Sequence, residues 1–158
     1  MKTKEELLKI YSAYLPYGLK VKLHEKDSFS NKVKELSGIM EFGLCFLGKG
    51  GYFGFTERSF EDFKPILYSM DMLTQEIEHN GERFVPIDKI KEYNLGHVNW
   101  ISNEREEWIN RYGFNHWFKH IPLGIYNILL EWHFNIFGLE ESEYIKKETL
   151  NWSENPNS

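Results

Sequence analysis

The stretch 121–139, IPLGIYNILLEWHFNIFGL, constrains this chain more than any other because it holds the densest run of apolar side chains. Read as one helix, it opens with Pro122, whose missing N–H costs nothing in a first turn. It closes on Gly138, which suits the left-handed residue just past a helix end. Gly124, Asn127, Glu131 and Asn135 recur at three- and four-residue spacing as one narrow polar stripe. The rest of the cylinder carries residues such as Ile125, Leu129, Leu130, Trp132, Phe134, Ile136 and Phe137. A helix so nearly apolar all round has to be covered by other elements. At about 1.5 Å per residue it can cross a small domain but is short for a membrane span.

The chain supplies enough material for that cover. With 158 residues, 41% of them hydrophobic, it has the size and composition of one domain with one core. We expect a single domain over residues 1–150 and a frayed tail over 151–158, where Asn, Ser and Pro take over. Cys45 is the sole cysteine, which excludes an intramolecular disulfide framework and a cysteine-based zinc ribbon. The opening residues, rich in Lys and Glu, lack the apolar core of a signal peptide, so the expected location is cytoplasmic. Charge is uneven. The net value is −5, but residues 1–50 carry nine lysines against six acids, and residues 51–158 carry ten bases against eighteen acids.

Local patterns divide the remainder. Thr3 and Glu6 fit a capping box before Leu7, Leu8, Tyr11 and Tyr14, predicting a helix over 4–14 that ends at Pro16 and Gly18. Residues 19–24 alternate with period two, which predicts a strand with Leu19, Val21 and Leu23 inward and Lys20 and Lys22 outward. Residues 25–38 read as a loop or short irregular helix. Residues 39–47 and 52–55 read as a strand pair turning at the glycines of 48–51. Ser59 can cap a turn holding Phe60 and Phe63, with Pro65 as its stop, and 68–74 reads as a connection. Asn80-Gly81 is the preferred two-residue hairpin turn, and its register sets Ile77 against Phe84 and Glu78 against Arg83. A short helix should follow over 87–94. Asn103 and Glu106 fit a second capping box, opening a helix that buries Trp108, Ile109 and Tyr112 and ends at Gly113.

This pattern predicts an α+β fold, with a small antiparallel sheet of hairpins covered by the N-terminal helix and one long apolar C-terminal helix. Motifs of catalysis are thin. Residues 43–49 satisfy G-x-x-x-x-G-K, but Gly50 stands where the magnesium-binding hydroxyl belongs, and the intervening Leu44, Cys45, Phe46 and Leu47 are strand formers. His116 and His120 have the four-residue spacing of a helical metal pair, with His133 a conceivable third ligand, yet the glutamate of H-E-x-x-H is missing. We therefore expect no catalytic residue, no metal and no cofactor. Cys45, in an apolar run without a base nearby, reads as a small core residue.

Residues 10–19, IYSAYLPYGL, and 129–139, LLEWHFNIFGL, together with LTQEI at 73–77 and FVPI at 84–87, carry a resemblance. The chain resembles a group of small uncharacterised proteins encoded by phages and prophages of Bacteroidetes. The resemblance implies a phage or prophage accessory protein that binds and disables a host defence effector, as anti-CRISPR proteins do. The expected partner is a host protein such as a CRISPR effector nuclease or its guide-RNA complex, with no membrane involved. Two surfaces are candidates for it. An acidic face of Glu104, Glu106, Glu107, Glu140, Glu141 and Glu143 suits the positive grooves of a nuclease. The alternative is an RNA-contacting lysine face of Lys20, Lys22, Lys32, Lys34 and Lys49, with Tyr17 and Tyr52 for base stacking.

Overall fold

The computed structural model describes residues 1–23, 33–40, 43–47, 53–54 and 60–150. Along the chain run helix α1 (Lys4–Tyr14), strands β1 (Lys20–Leu23), β2 (Val33–Met40), β3 (Gly43–Leu47), β4 (Phe53–Gly54) and β5 (Phe63–Leu67). The hairpin strands β6 (Ile77–His79) and β7 (Glu82–Phe84) come next. Helices α2 (Pro86–Glu92), α3 (Arg105–Tyr112), α4 (Phe114–Lys119) and α5 (Leu123–Glu131) follow, and strand β8 (Ile145–Lys146) comes last. The fold is α+β. Contacts divide the chain into two compact units, residues 1–67 with 139–158 and residues 68–138.

The first unit is built on a six-stranded sheet in the order β4-β3-β2-β1-β5-β8. Its pairs are antiparallel except β5 with β8, which run parallel, so the sheet is mixed where hairpins alone would make it antiparallel. α1 begins as its sequence dictates: the Thr3 hydroxyl accepts from Glu6 N–H while the Glu6 carboxylate accepts from Thr3 N–H at 2.7 Å. That second hydrogen bond holds the Glu6 carboxyl below its ordinary range. The helix buries Ile10, Tyr11 and Tyr14. Tyr11 stacks on Phe60 and donates to the carbonyl of Phe63, which ties the helix to the start of β5.

Alternation in β1 holds, with Leu19 and Val21 fully buried and Lys20 and Lys22 half-buried. Residues 33–38 are strand, not the expected loop, because Lys20, Val21 and Lys22 pair with Glu35, Lys34 and Val33. A register shift between Leu36 and Gly38 lets β2 continue against β3. The expected single strand over 39–47 is divided, since Ile39 and Met40 end β2 and pair back with Leu44 and Gly43 of β3; β3 and β4 pair antiparallel as expected, and the turn at 48–51 lies outside the described residues, as do 25–32 and the tail 151–158. Pro65 does not stop a turn. It lies inside β5 opposite Val21, and β8 pairs only from Ile66 onward, so its missing N–H falls where β5 has one neighbour.

In the second unit the hairpin adopts the anticipated register, Ile77 to Phe84 and Glu78 to Arg83, as a separate two-stranded sheet. Asn80 and Gly81, at φ 51° and 79°, supply the two left-handed residues of its turn. The long helix is shorter than its apolar run. α5 stops at Glu131, and His133 takes φ 62°, which a helix cannot continue through. Backbone pairing wins there: Tyr68 N–H donates to the His133 carbonyl at 2.8 Å and Asn135 N–H to the Tyr68 carbonyl at 2.9 Å. This parallel bridge holds Phe134, which is fully buried, as is Ile136 in the turn that follows. Gly138 does adopt the left-handed conformation, at φ 63°, seven residues past the end of α5.

Candidate functional site

The residues 108, 112, 116 and 120 recur every fourth position across α3 and α4, so consecutive helical turns bring their side chains together. Gly113, at φ 86°, separates the helices, and the contacts run across it. Trp108 meets Tyr112 at 4.8 Å between ring centroids, Tyr112 meets His116 at 5.1 Å, and His116 stacks on His120 at 4.3 Å. Trp100, in the 3-10 turn before α3, meets Trp108 at 4.3 Å and His120 at 6.0 Å, closing a ring of five aromatic side chains. Tyr112, His116 and His120 are exposed; Trp100 and Trp108 are half-buried.

Trp117 anchors this ring from below. It is fully buried, its indole N–H donates to the Trp100 carbonyl at 2.7 Å, and the Trp100 indole donates back to the Trp117 carbonyl at 3.3 Å. Both indoles are thus satisfied, which buried tryptophans require. The expected burial of Trp108, Ile109 and Tyr112 is therefore corrected. α3 has no buried residue, and Tyr112 is 48% exposed. Nor does the second capping box form, since α3 starts at Arg105 with Glu104 as an uncapped, helical-φ residue before it.

Two predicted acids border the ring and a third lies near them on α3. Glu104 accepts from the Trp108 indole at 3.4 Å, Glu107 pairs with Arg111 at 3.0 Å, and Arg111 lies over the Tyr112 ring. Glu104, Glu107, Trp108 and Arg111 line a cleft of about 260 Å³. Glu106 lines a neighbouring cleft of about 360 Å³, whose walls include Thr74, Ser102 and the Arg105–Asp71 ion pair. The other three acids belong to the first unit and serve local structure there. Glu143 accepts from the backbone N–H of Lys2 and of Glu140, and Glu141 pairs with Lys146, which holds its carboxyl below the ordinary range.

The lysine set divides by register. Lys20 and Lys22 lie on one face of β1, whereas Lys34 stands opposite Val21 on the other; Tyr17 is half-buried in the 3-10 turn before β1. Lys32, Lys49 and Tyr52 lie outside the described residues. Among the described residues the histidines do not converge as ligands. His116 and His120 stack face to face, His120 Nδ1 sits 2.7 Å from the His116 carbonyl, and the buried His133 meets His79 edge-on at 5.5 Å. Among the described residues no three His, Cys, Asp or Glu side chains group as a metal site, and no helix is long and apolar enough to cross a membrane. Cys45 is half-buried in β3. The aromatic ring is the feature that sequence reading missed; the four-residue spacing of Trp108, Tyr112, His116 and His120 was its signal. No family model, curated protein or solved structure matches the chain.

Proposed function

We propose that this chain is a non-catalytic phage or prophage accessory protein that acts in the bacterial cytoplasm by binding a host defence effector, an RNA-guided nuclease being the partner whose chemistry fits. The observation that carries the reading is the aromatic ring of Trp100, Trp108, Tyr112, His116 and His120 with Glu104 and Glu107 at its border and Glu106 in the neighbouring cleft. Tryptophan and tyrosine dominate the energetic centres of protein interfaces because they bury large area at low entropic cost. Here they are braced by Trp117 before any partner arrives, which lowers the ordering cost of association. A nuclease must expose positive grooves to hold nucleic acid, and carboxylates around an apolar anchor complement such a groove and speed encounter. The prophage setting comes from the sequence resemblance.

The test is capture of an RNA-guided nuclease by the wild-type protein and by the triple reversal Glu104→Lys, Glu106→Lys, Glu107→Lys, with circular dichroism as the folding control. We expect the reversal, and separately Tyr112→Ala, to weaken binding tenfold or more, with slower wild-type association as salt rises. Equal binding by wild type and both variants would refute the assignment of this surface.

A further inference from the structure

Glu104, Glu107, Trp108 and Arg111 stand three and four residues apart, so they share the face of α3 that lines the cleft of about 260 Å³. Two pairs of carboxylate and ring lie along it. In one, Glu107 holds the Arg111 guanidinium at 3.0 Å, and that guanidinium lies over the Tyr112 ring, 5.9 Å from its centroid. A planar cation is thus set against a carboxylate and over an aromatic face, two contacts that suit guanidinium better than ammonium. In the other, Glu104 and Trp108 supply the carboxylate and a larger ring, joined by the indole N–H at 3.4 Å. Among the described residues no cationic side chain pairs with Glu104 or lies over Trp108. The indole takes up one of about four acceptor positions on the Glu104 carboxylate. With two carboxylates against one guanidinium, the cleft's charge favours a further cation.

We propose that Glu104 and Trp108 seat an arginine side chain of the partner protein, as Glu107 and Tyr112 seat Arg111. The inference rests on the reading of this aromatic surface as partner-binding, and it names the chemistry of the partner's anchor. An arginine stem laid along an indole buries apolar area while its guanidinium donates to the carboxylate in a fixed fork. Arginine is accordingly enriched at the energetic centres of interfaces. Arg111 leaves room for it, since its pair with Glu107 is exposed on both sides and held weakly against water.

Titration of a capped Gly-Arg-Gly-Arg-Gly peptide into the nitrogen-15-labelled protein tests this, read at the Trp108 indole N–H signal, which Trp108→Phe identifies. We expect a saturable shift and an affinity at least about threefold above that of the lysine counterpart. Glu104→Gln keeps an acceptor for the indole and removes only the charge, and should weaken binding about fivefold. Glu92→Gln, on exposed α2, removes the same charge and should leave binding unchanged. No shift of the Trp108 signal, equal affinity for the lysine peptide, or equal losses in the two glutamine variants would overturn the proposal. Nuclease capture separates this inference from the reading beneath it. Capture undiminished by Glu104→Gln but lost in the triple reversal would overturn the arginine seat and leave the surface assigned. Arginine-selective binding that depends on Glu104, without nuclease capture, would support the seat and remove the nuclease.

Discussion

Replacing Gly138 by alanine separates two costs that usually arrive together. Gly138 sits at φ 63°, and a Cβ added there would stand 2.8 Å from Phe114 Cε2 and 3.0 Å from Cζ. The left-handed conformation costs a non-glycine residue about 1–2 kcal/mol. The clash adds to it, because Phe114 cannot swing away freely: its ring packs on Trp117 at 5.5 Å and stacks on Phe118 at 5.9 Å. Overpacking of this kind costs about 1–3 kcal/mol, so Gly138→Ala should destabilise by roughly 2–5 kcal/mol. Gly81→Ala is the internal control. Its φ is 79° and no atom lies within 4 Å of the added Cβ, so it should lose only the conformational part, about 1–2 kcal/mol. Urea denaturation followed by tryptophan fluorescence reports the relevant unit, since Trp100, Trp108, Trp117 and Trp132 all lie within residues 68–138. A Gly138→Ala midpoint equal to or above that of Gly81→Ala would refute the packing of Phe114 against the 138 backbone.

Lys147 makes stability depend on pH in a direction opposite to that of an ion-paired lysine. Its folded pKa of about 8 lies below its ordinary 10.5, so between those values the unfolded chain holds the proton and the folded chain does not. Stability should therefore rise from pH 8 toward 10, by about 2 kcal/mol at most, and Lys147→Met should abolish the rise. Urea midpoints at pH 7.5 and 9.5 that stay level or fall in the wild type would contradict this. Leu129→Ala, at a fully buried position of α5, should cost roughly 2–5 kcal/mol, and unchanged thermal melting would show that α5 is not core.

What the sequence conveyed was local. The Thr3 box, the alternation of 19–22 and the Asn80-Gly81 turn are each decided by neighbours within a few residues, and each formed as read. Residues 33–35 were unreadable as strand because their partners, Lys20 to Lys22, reward them only after a distant pairing. The 121–139 run misled for a related reason. Apolarity cannot distinguish a buried helix from a buried extended segment, and the choice at His133 was made by the backbone of Tyr68. The candidate surface was half legible. His116 and His120 drew notice as possible ligands, yet their contacts belong to an aromatic series that begins at Trp100, and Trp100 joins it only through tertiary structure.

The parallel pairing of β5 with β8 sets an order of assembly on the ribosome. Leu67 cannot meet Lys146 until the 78 intervening residues have been synthesised, and these include the whole of the second unit. At about 5–20 residues per second that delay is roughly 4–16 s, long compared with the time a small helical unit needs to fold. The outer edge of β5 thus waits unpaired while the second unit completes itself, its own ends fastened by the bridge between Tyr68 and Phe134. The nascent chain spends those seconds with an open strand edge, the state in which aggregation begins, and Lys64 and Pro65 lie on that strand as the residue types that discourage a foreign strand from joining it.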